Sequence, residues 1–304
     1  MRNIHFLWSG FLCFTLVSCV SLKPESFRSF ETSVGLAQKG LETEMARDVA
    51  WTREADVDSL AETKEAPLSD YMLKEVEGYD WKMAGTSPHW ETRLTLRALE
   101  EMNAAFKEYA TLLAQVAEGH FKEPQDHDAL AATMNQSLRE AQATIVQTKG
   151  SSPLIPAGAA AFSVENILYC KRFGRAKALR SAVQKNQPWV ESYTVQCLAL
   201  LDLIRADLKA AYANRMEALH NRWDDKRTPG RNTLARSIFN LNAQYADAME
   251  SLKTLFNFYN NLPMAHHELA EGLTVHAKSP KALSTLAAFA EQVARRTRAL
   301  EKSR

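Results

Sequence analysis

Leu234, Ile238, Leu241, Tyr245, Ala248, Leu252, Leu255, Tyr259 and Leu262 step by four and three residues in strict alternation. A helix gathers residues three and four apart on one face and a strand does not, so this stretch can bury its apolar side chains only as a helix. Two other stretches keep the same rhythm: Leu99, Met102, Phe106, Tyr109, Leu113 and Val116, then Leu283, Leu286, Ala290, Val293, Thr297 and Leu300. A mean step of about 3.5 residues is the spacing of helices that wrap around one another in a left-handed sense. Only 11 Gly and 10 Pro occur in 304 residues, too few for a strand-and-turn architecture. The expected fold is therefore all-α, an elongated antiparallel bundle of long helices with coiled-coil-like packing.

Punctuation divides the rhythm into elements. Ser87-Pro88 and Ser279-Pro280 each offer an N-cap followed by proline at a first helical position, while Glu118-Gly119 and Lys149-Gly150 offer glycine at a C-terminus. Thr228 to Asn232 reads as a turn. Helices are predicted at 26–64, 88–118, 126–148, 160–185, 188–226, 232–262 and 264–302, the last bent at Pro280. Residues 65–86, with Tyr71, Tyr79 and Trp81, read as a connector whose aromatics pack on the bundle. Residues 26–304 form one elongated domain in this reading, with halves 26–150 and 157–304 joined by a 151–156 connector that leads into small apolar residues ending at Phe162.

The first residues are of another kind. Arg2 precedes an apolar run from Ile4 to Val17, too short to span a bilayer of about 30 Å, which marks residues 1–18 as a cleavable signal. Leu16-Val17-Ser18-Cys19 closes that run and resembles the lipobox of bacterial lipoproteins. The resemblance implies that Cys19 receives a diacylglycerol thioether, becomes the first residue of the mature chain and is acylated on its new amino group. Residues 19–25 would then be the lipidated anchor and a short linker. Two or three acyl chains hold firmly, since each buried methylene contributes about 0.8 kcal/mol. Val20 stands where an Asp retains enterobacterial lipoproteins in the inner membrane, which implies, for a Gram-negative source, an outer-membrane lipoprotein facing the periplasm. The expected partners are thus the membrane, through the lipid on Cys19, and another envelope protein or the cell wall.

Charge narrows the partners further. The sequence holds 37 Lys and Arg against 36 Asp and Glu, and Arg2 is the one charged residue other than His5 within 1–18, so no global field attracts nucleic acid to the mature chain. A local run of cations, Lys171, Arg172, Arg175, Lys177, Arg180 and Lys185, has no acid among them. It can meet an anionic ligand or lipid head group, pair with the acid-rich 25–65 segment, or stay solvated. With Cys13 in the signal and Cys19 lipidated, Cys170 and Cys197 remain, either to form a disulfide in an oxidising compartment or to pack as small hydrophobes.

Chemistry-bearing residues are scattered. His266, His267, Glu268, Glu271 and His276 cluster, with His267 and Glu271 on one face, but no His-Glu-x-x-His pattern is present and exposed or capping histidines are the simpler reading. There is no nucleophile elbow and no glycine-rich phosphate loop. No catalytic residue, metal or cofactor is expected. The function expected is a non-catalytic envelope scaffold, adaptor or binding protein. The alternatives are a membrane-active bundle that inserts Pro153 to Phe162 and, at the least weight, a metal-dependent enzyme.

Overall fold

A computed structural model of the chain describes residues 23–62, 73–76, 80–83, 88–120, 124–149, 162, 174–224, 230–273 and 280–303. Among them the fold is a bundle of six helices, α1 (Pro24–Glu62), α2 (Pro88–Glu118), α3 (Pro124–Lys149), α4 (Arg175–Asp224), α5 (Arg231–Glu271) and α6 (Lys281–Ser303). One small hairpin, β1 (Leu73–Val76) and β2 (Asp80–Met83), lies between α1 and α2. The 50 residues of α4 make it about 75 Å long.

Helix α1 is the axis of the bundle, packing against α2, α4, α5 and α6. Side-chain partners fix the directions. Tyr193 meets Tyr259 and Tyr212 meets Tyr245, so α4 and α5 are antiparallel. Asp58 of α1 meets Arg215 of α4, while Asp207 acts on Asp48 one level below, so those two helices run the same way. Helix α6 comes so close to α1 that a Cβ on Gly40 would lie 1.8 Å from Val293 Cγ1, a contact only glycine permits without rearrangement.

Several predicted ends are where the sequence puts them. Pro88 opens α2, and Gly119, at φ 95°, follows its last residue in the left-handed conformation that glycine adopts at a helix end. Two others are corrected. Pro188 lies inside α4 and Pro263 inside α5, so neither proline starts a new helix. An interior proline costs about 3 kcal/mol through a lost backbone bond and a crowded carbonyl. Trp189, Val190 and Tyr193 follow Pro188 and are fully buried, and each such side chain returns about 1.5 to 3 kcal/mol, so continuing the helix outweighs breaking it. The chain turns instead at Gly272, and α6 starts afresh rather than as a bent continuation.

The connector expected over 65–86 contains the β hairpin, with Leu73 opposite Met83 and Val76 opposite Asp80, a pairing that satisfies backbone groups an irregular segment would leave to solvent. Tyr71 and Tyr79 lie outside the described residues. So do residues 151–161 of the second connector. Phe162, however, is buried, its backbone N–H donating to Asn135 Oδ1 at 2.9 Å and its ring edge-on to Tyr109 and Trp189. Side chains from before and after residues 151–156 share one apolar core, from Phe27 to Val293.

Candidate ligand-binding site

Three levels along the bundle hold its polar groups. The first lies in the aromatic core, where Phe106 stacks on Tyr193 with ring centroids 4.3 Å apart and Trp189 stacks on both. Asn103 anchors this layer, accepting from the hydroxyls of Tyr193 and Tyr259 on Oδ1 and donating from Nδ2 to the Leu99 carbonyl at 2.7 Å. His266, read from the sequence as an exposed or capping residue, is fully buried here. Gln187 Nε2 donates to the Pro263 carbonyl at 3.0 Å, which leaves Gln187 Oε1 to accept from His266 Nδ1 at 2.7 Å. His266 Nε2 then accepts from the Tyr109 hydroxyl at 2.8 Å. Burial, with His267 beside it, pushes the His266 pKa down to about 3. It is a neutral core imidazole with both nitrogens engaged, offering no lone pair to a metal or a proton donor from outside.

His267 is exposed and pairs with Glu271 at 3.4 Å, and His276 lies outside the described residues. Among the described residues no group of three His, Cys, Asp or Glu is placed to hold a metal ion. Cys197 is a free, fully buried thiol whose pKa burial raises, beside the Tyr193 hydroxyl. Its sulfur is enclosed by the core, and the disulfide that the sequence also left open to it would need Cys170. Cys170 lies outside the described residues, as do Cys19, Lys171 and Arg172. Arg175 reaches the carbonyl of Ala117 at 3.4 Å, placing its charge at the C-terminal end of α2, where the helix dipole favours a cation. Lys177 and Arg180 are exposed on the first turns of α4.

The second level is an acidic seam that no sequence pattern announced. Glu44 and Asp48, one turn apart on α1, are both buried. Asp48 has no hydrogen-bond partner on either carboxyl oxygen among the described residues. Burial, reinforced by Asp207 and Glu44, raises its pKa to about 8. Burial likewise raises Glu44 to about 7, opposed by Arg47 at 3.2 Å, by Ser251 and by Arg296. At neutral pH Asp48 is thus mostly protonated and Glu44 about half so, and both hold their protons below it.

Beyond it, the third level opens to solvent. Trp51 of α1, Tyr245 of α5 and Tyr212 of α4 stack in sequence, and the Tyr212 hydroxyl donates to Asn242 Oδ1 at 2.6 Å. The Arg215 guanidinium lies over the Trp51 ring, 5.6 Å from its centroid, and 3.8 Å from Asp58 Oδ2. Next to this stack is a pocket of about 620 Å³ between the end of α1 and the facing sides of α4 and α5. Arg215 and Arg222 line one wall, Ser237, Asn240 and Gln244 the other, over an apolar base that includes Leu219 and Leu241. Arg231 stacked on Trp223, 4.8 Å from the ring centroid, ties α4 to α5 where the two helices meet the turn.

No protein-family model matches this chain, and no curated protein or solved structure matches it either. Its site is therefore assigned on geometry alone. The pocket has both a ligand-sized volume and polar groups on two facing helices. Its residues were passed over in the sequence because each is ordinary for a solvated helix face. The available signal was positional: Arg215 and Arg222 are seven apart, and Ser237, Asn240 and Gln244 are spaced by three and four, so each set shares one face.

Proposed function

We propose that this protein is a lipid-anchored, non-catalytic binding protein of the bacterial envelope, tethered through Cys19 and presenting its pocket away from the membrane. One observation carries the reading. Helix α1 begins at Pro24, five residues after the lipobox cysteine, and continues unbroken to Glu62. Asp58 at the pocket is 34 residues along that helix from Pro24, about 51 Å at 1.5 Å per residue. A lipid on Cys19 would hold one end of α1 at the bilayer and leave the pocket at the other. Among the described residues no helix is long and apolar enough to cross a membrane, so stable attachment calls on the acyl chains. The anionic-surface role of Lys171, Arg172, Arg175, Lys177 and Arg180 fits the same arrangement, since Gly174 and the start of α4 lie toward the anchored end.

Fractionation of cells expressing the full chain tests the anchor. Wild-type protein is expected in the membrane fraction, with a diacylglyceryl cysteine at the mature amino terminus by mass spectrometry. Cys19→Ala is expected in the soluble fraction or as uncleaved precursor lacking that modification. A Cys19→Ala protein that is processed and membrane-bound at wild-type yield would overturn the reading.

A further inference from the structure

The pocket next to Trp51 has a chemistry of its own. Its lining carries two guanidinium groups and one carboxylate, and the three are not equivalent. Arg215 is held in place on two sides, by the Trp51 ring beneath it and by Asp58 at 3.8 Å. A separation of 3.8 Å exceeds hydrogen-bond length, so Asp58 orients Arg215 without consuming its N–H donors. Arg222 is exposed and has no carboxylate partner among the described residues. Arg215 and Arg222 are seven residues apart on one helix, so their Cα atoms are about 10 Å apart along its axis, a gap that the exposed Arg222 side chain is long enough to narrow. Opposite them, Asn240 and Gln244 offer carboxamides that both donate and accept, and the Ser237 hydroxyl, which donates to the Thr233 carbonyl at 3.1 Å, offers an acceptor, so together they match hydroxyls. Leu219 and Leu241 supply apolar contact between. An anion alone would use only the arginine wall, and a neutral sugar or alcohol only the amide wall.

We propose that this pocket binds a small organic anion, with a carboxylate or phosphate group held by Arg222 and Arg215 and a hydroxyl-bearing body held by Ser237, Asn240 and Gln244. Arginine suits the role because its planar fork takes either group in two parallel hydrogen bonds. The stacked rings next to the pocket and the Trp223–Arg231 contact tie α4 to α5 before any ligand arrives, which lowers the entropic cost of binding. Asp58 acts as a brake, since its charge opposes that of the ligand.

The proposal rests on the protein being a binding protein, and its test is independent of the anchor. Purified full-length lipoprotein in neutral detergent micelles is titrated calorimetrically with glucose 6-phosphate, glucuronate, glucose and inorganic phosphate. At least one anionic sugar is expected to bind at least tenfold more tightly than glucose and than inorganic phosphate, and the better of the two separates phosphate from carboxylate recognition. Arg222→Gln is expected to weaken that binding about tenfold with no change in thermal midpoint, and Asn240→Ala several-fold. Asp58→Asn is expected to tighten it two- to fivefold, an increase that a purely structural role for Asp58 would not produce. Binding that is undetectable with both anionic sugars, equal for glucose, or equal for inorganic phosphate would overturn the proposal, as would an Arg222→Gln protein with wild-type affinity. None of those results would affect where Cys19→Ala protein fractionates.

Discussion

The two ends of α5 are built from the same heptad rhythm and do opposite things. From Ala248 to Ala270 most apolar residues are buried, with Met249 and Phe256 half-covered and Met264 exposed, and so are Ser251, Thr254 and His266, because this half is packed among α1, α4 and α6. From Arg231 to Asp247 only Leu234 and Leu241 are buried, Ile238 and Tyr245 are half-covered, and Phe239 is 75 % exposed. The first half closes a core and the second lines a pocket. A repeating apolar stripe therefore specifies that a helix has a packed face, while the number of neighbours that the face meets decides whether the gap behind it is filled.

The largest test of this contrast is Trp189→Ala in the filled end. Removing an indole packed beside the stacked pair Phe106 and Tyr193 leaves a cavity that rigid neighbours cannot close, and a loss of about 3 to 5 kcal/mol is expected in urea unfolding. A loss below about 1 kcal/mol would show that the aromatic core is less tightly packed than the ring distances imply.

An intermediate effect, opposite in sign, is expected from Asp48→Asn in the acidic seam. The Asp48 pKa is raised on folding from 3.8 to about 8, so the folded chain keeps a proton that the unfolded chain releases. The stability this carboxyl contributes is complete below about pH 4 and is lost as pH rises toward 8. The Asn variant should raise the melting temperature by about 2 to 4 °C at pH 8 and much less at pH 4.5. His266 has the reverse dependence: its pKa falls on folding from 6.5 to about 3, so its contribution is complete above pH 6.5 and declines as pH falls. The two slopes oppose each other between about pH 4 and 6.5. Unchanged melting of Asp48→Asn across that range and up to pH 8 would place Asp48 in contact with solvent or a partner group.

The smallest expected effect belongs to the open end. Arg222→Gln should change unfolding free energy by less than about 0.5 kcal/mol, since an exposed guanidinium without an ion pair contributes little to the fold. A destabilisation comparable with that of Trp189→Ala would erase the distinction between core and pocket.

Much of the fold was legible because helices are local. The three heptad stretches lie in α2, α5 and α6, and Pro88 and Gly119 mark ends through the backbone conformations they favour. Pro188 and Pro263 misled for the same reason. Judged locally each is a breaker, yet Gln187 and His266 beside them belong to one network that ties α4 to α5 and to Tyr109 of α2. His266 likewise looked like a surface residue among His267, Glu268 and Glu271, and no one-dimensional signal tells which side of that turn faces Tyr109.

The sequence by itself determined that the chain builds long helices and which face three of them bury, because those follow from propensity and from spacing along a single chain. The lipobox resemblance, too, is contained in a few consecutive residues. Only the tertiary structure decided which helices became neighbours. That choice made His266 a core residue, left the Asp48 carboxyl buried without a hydrogen-bond partner among the described residues and drew Asp58, Arg215, Arg222 and Asn240 around one pocket. Burial and charge proximity belong to pairs of helices, and neither quantity exists until the helices are packed.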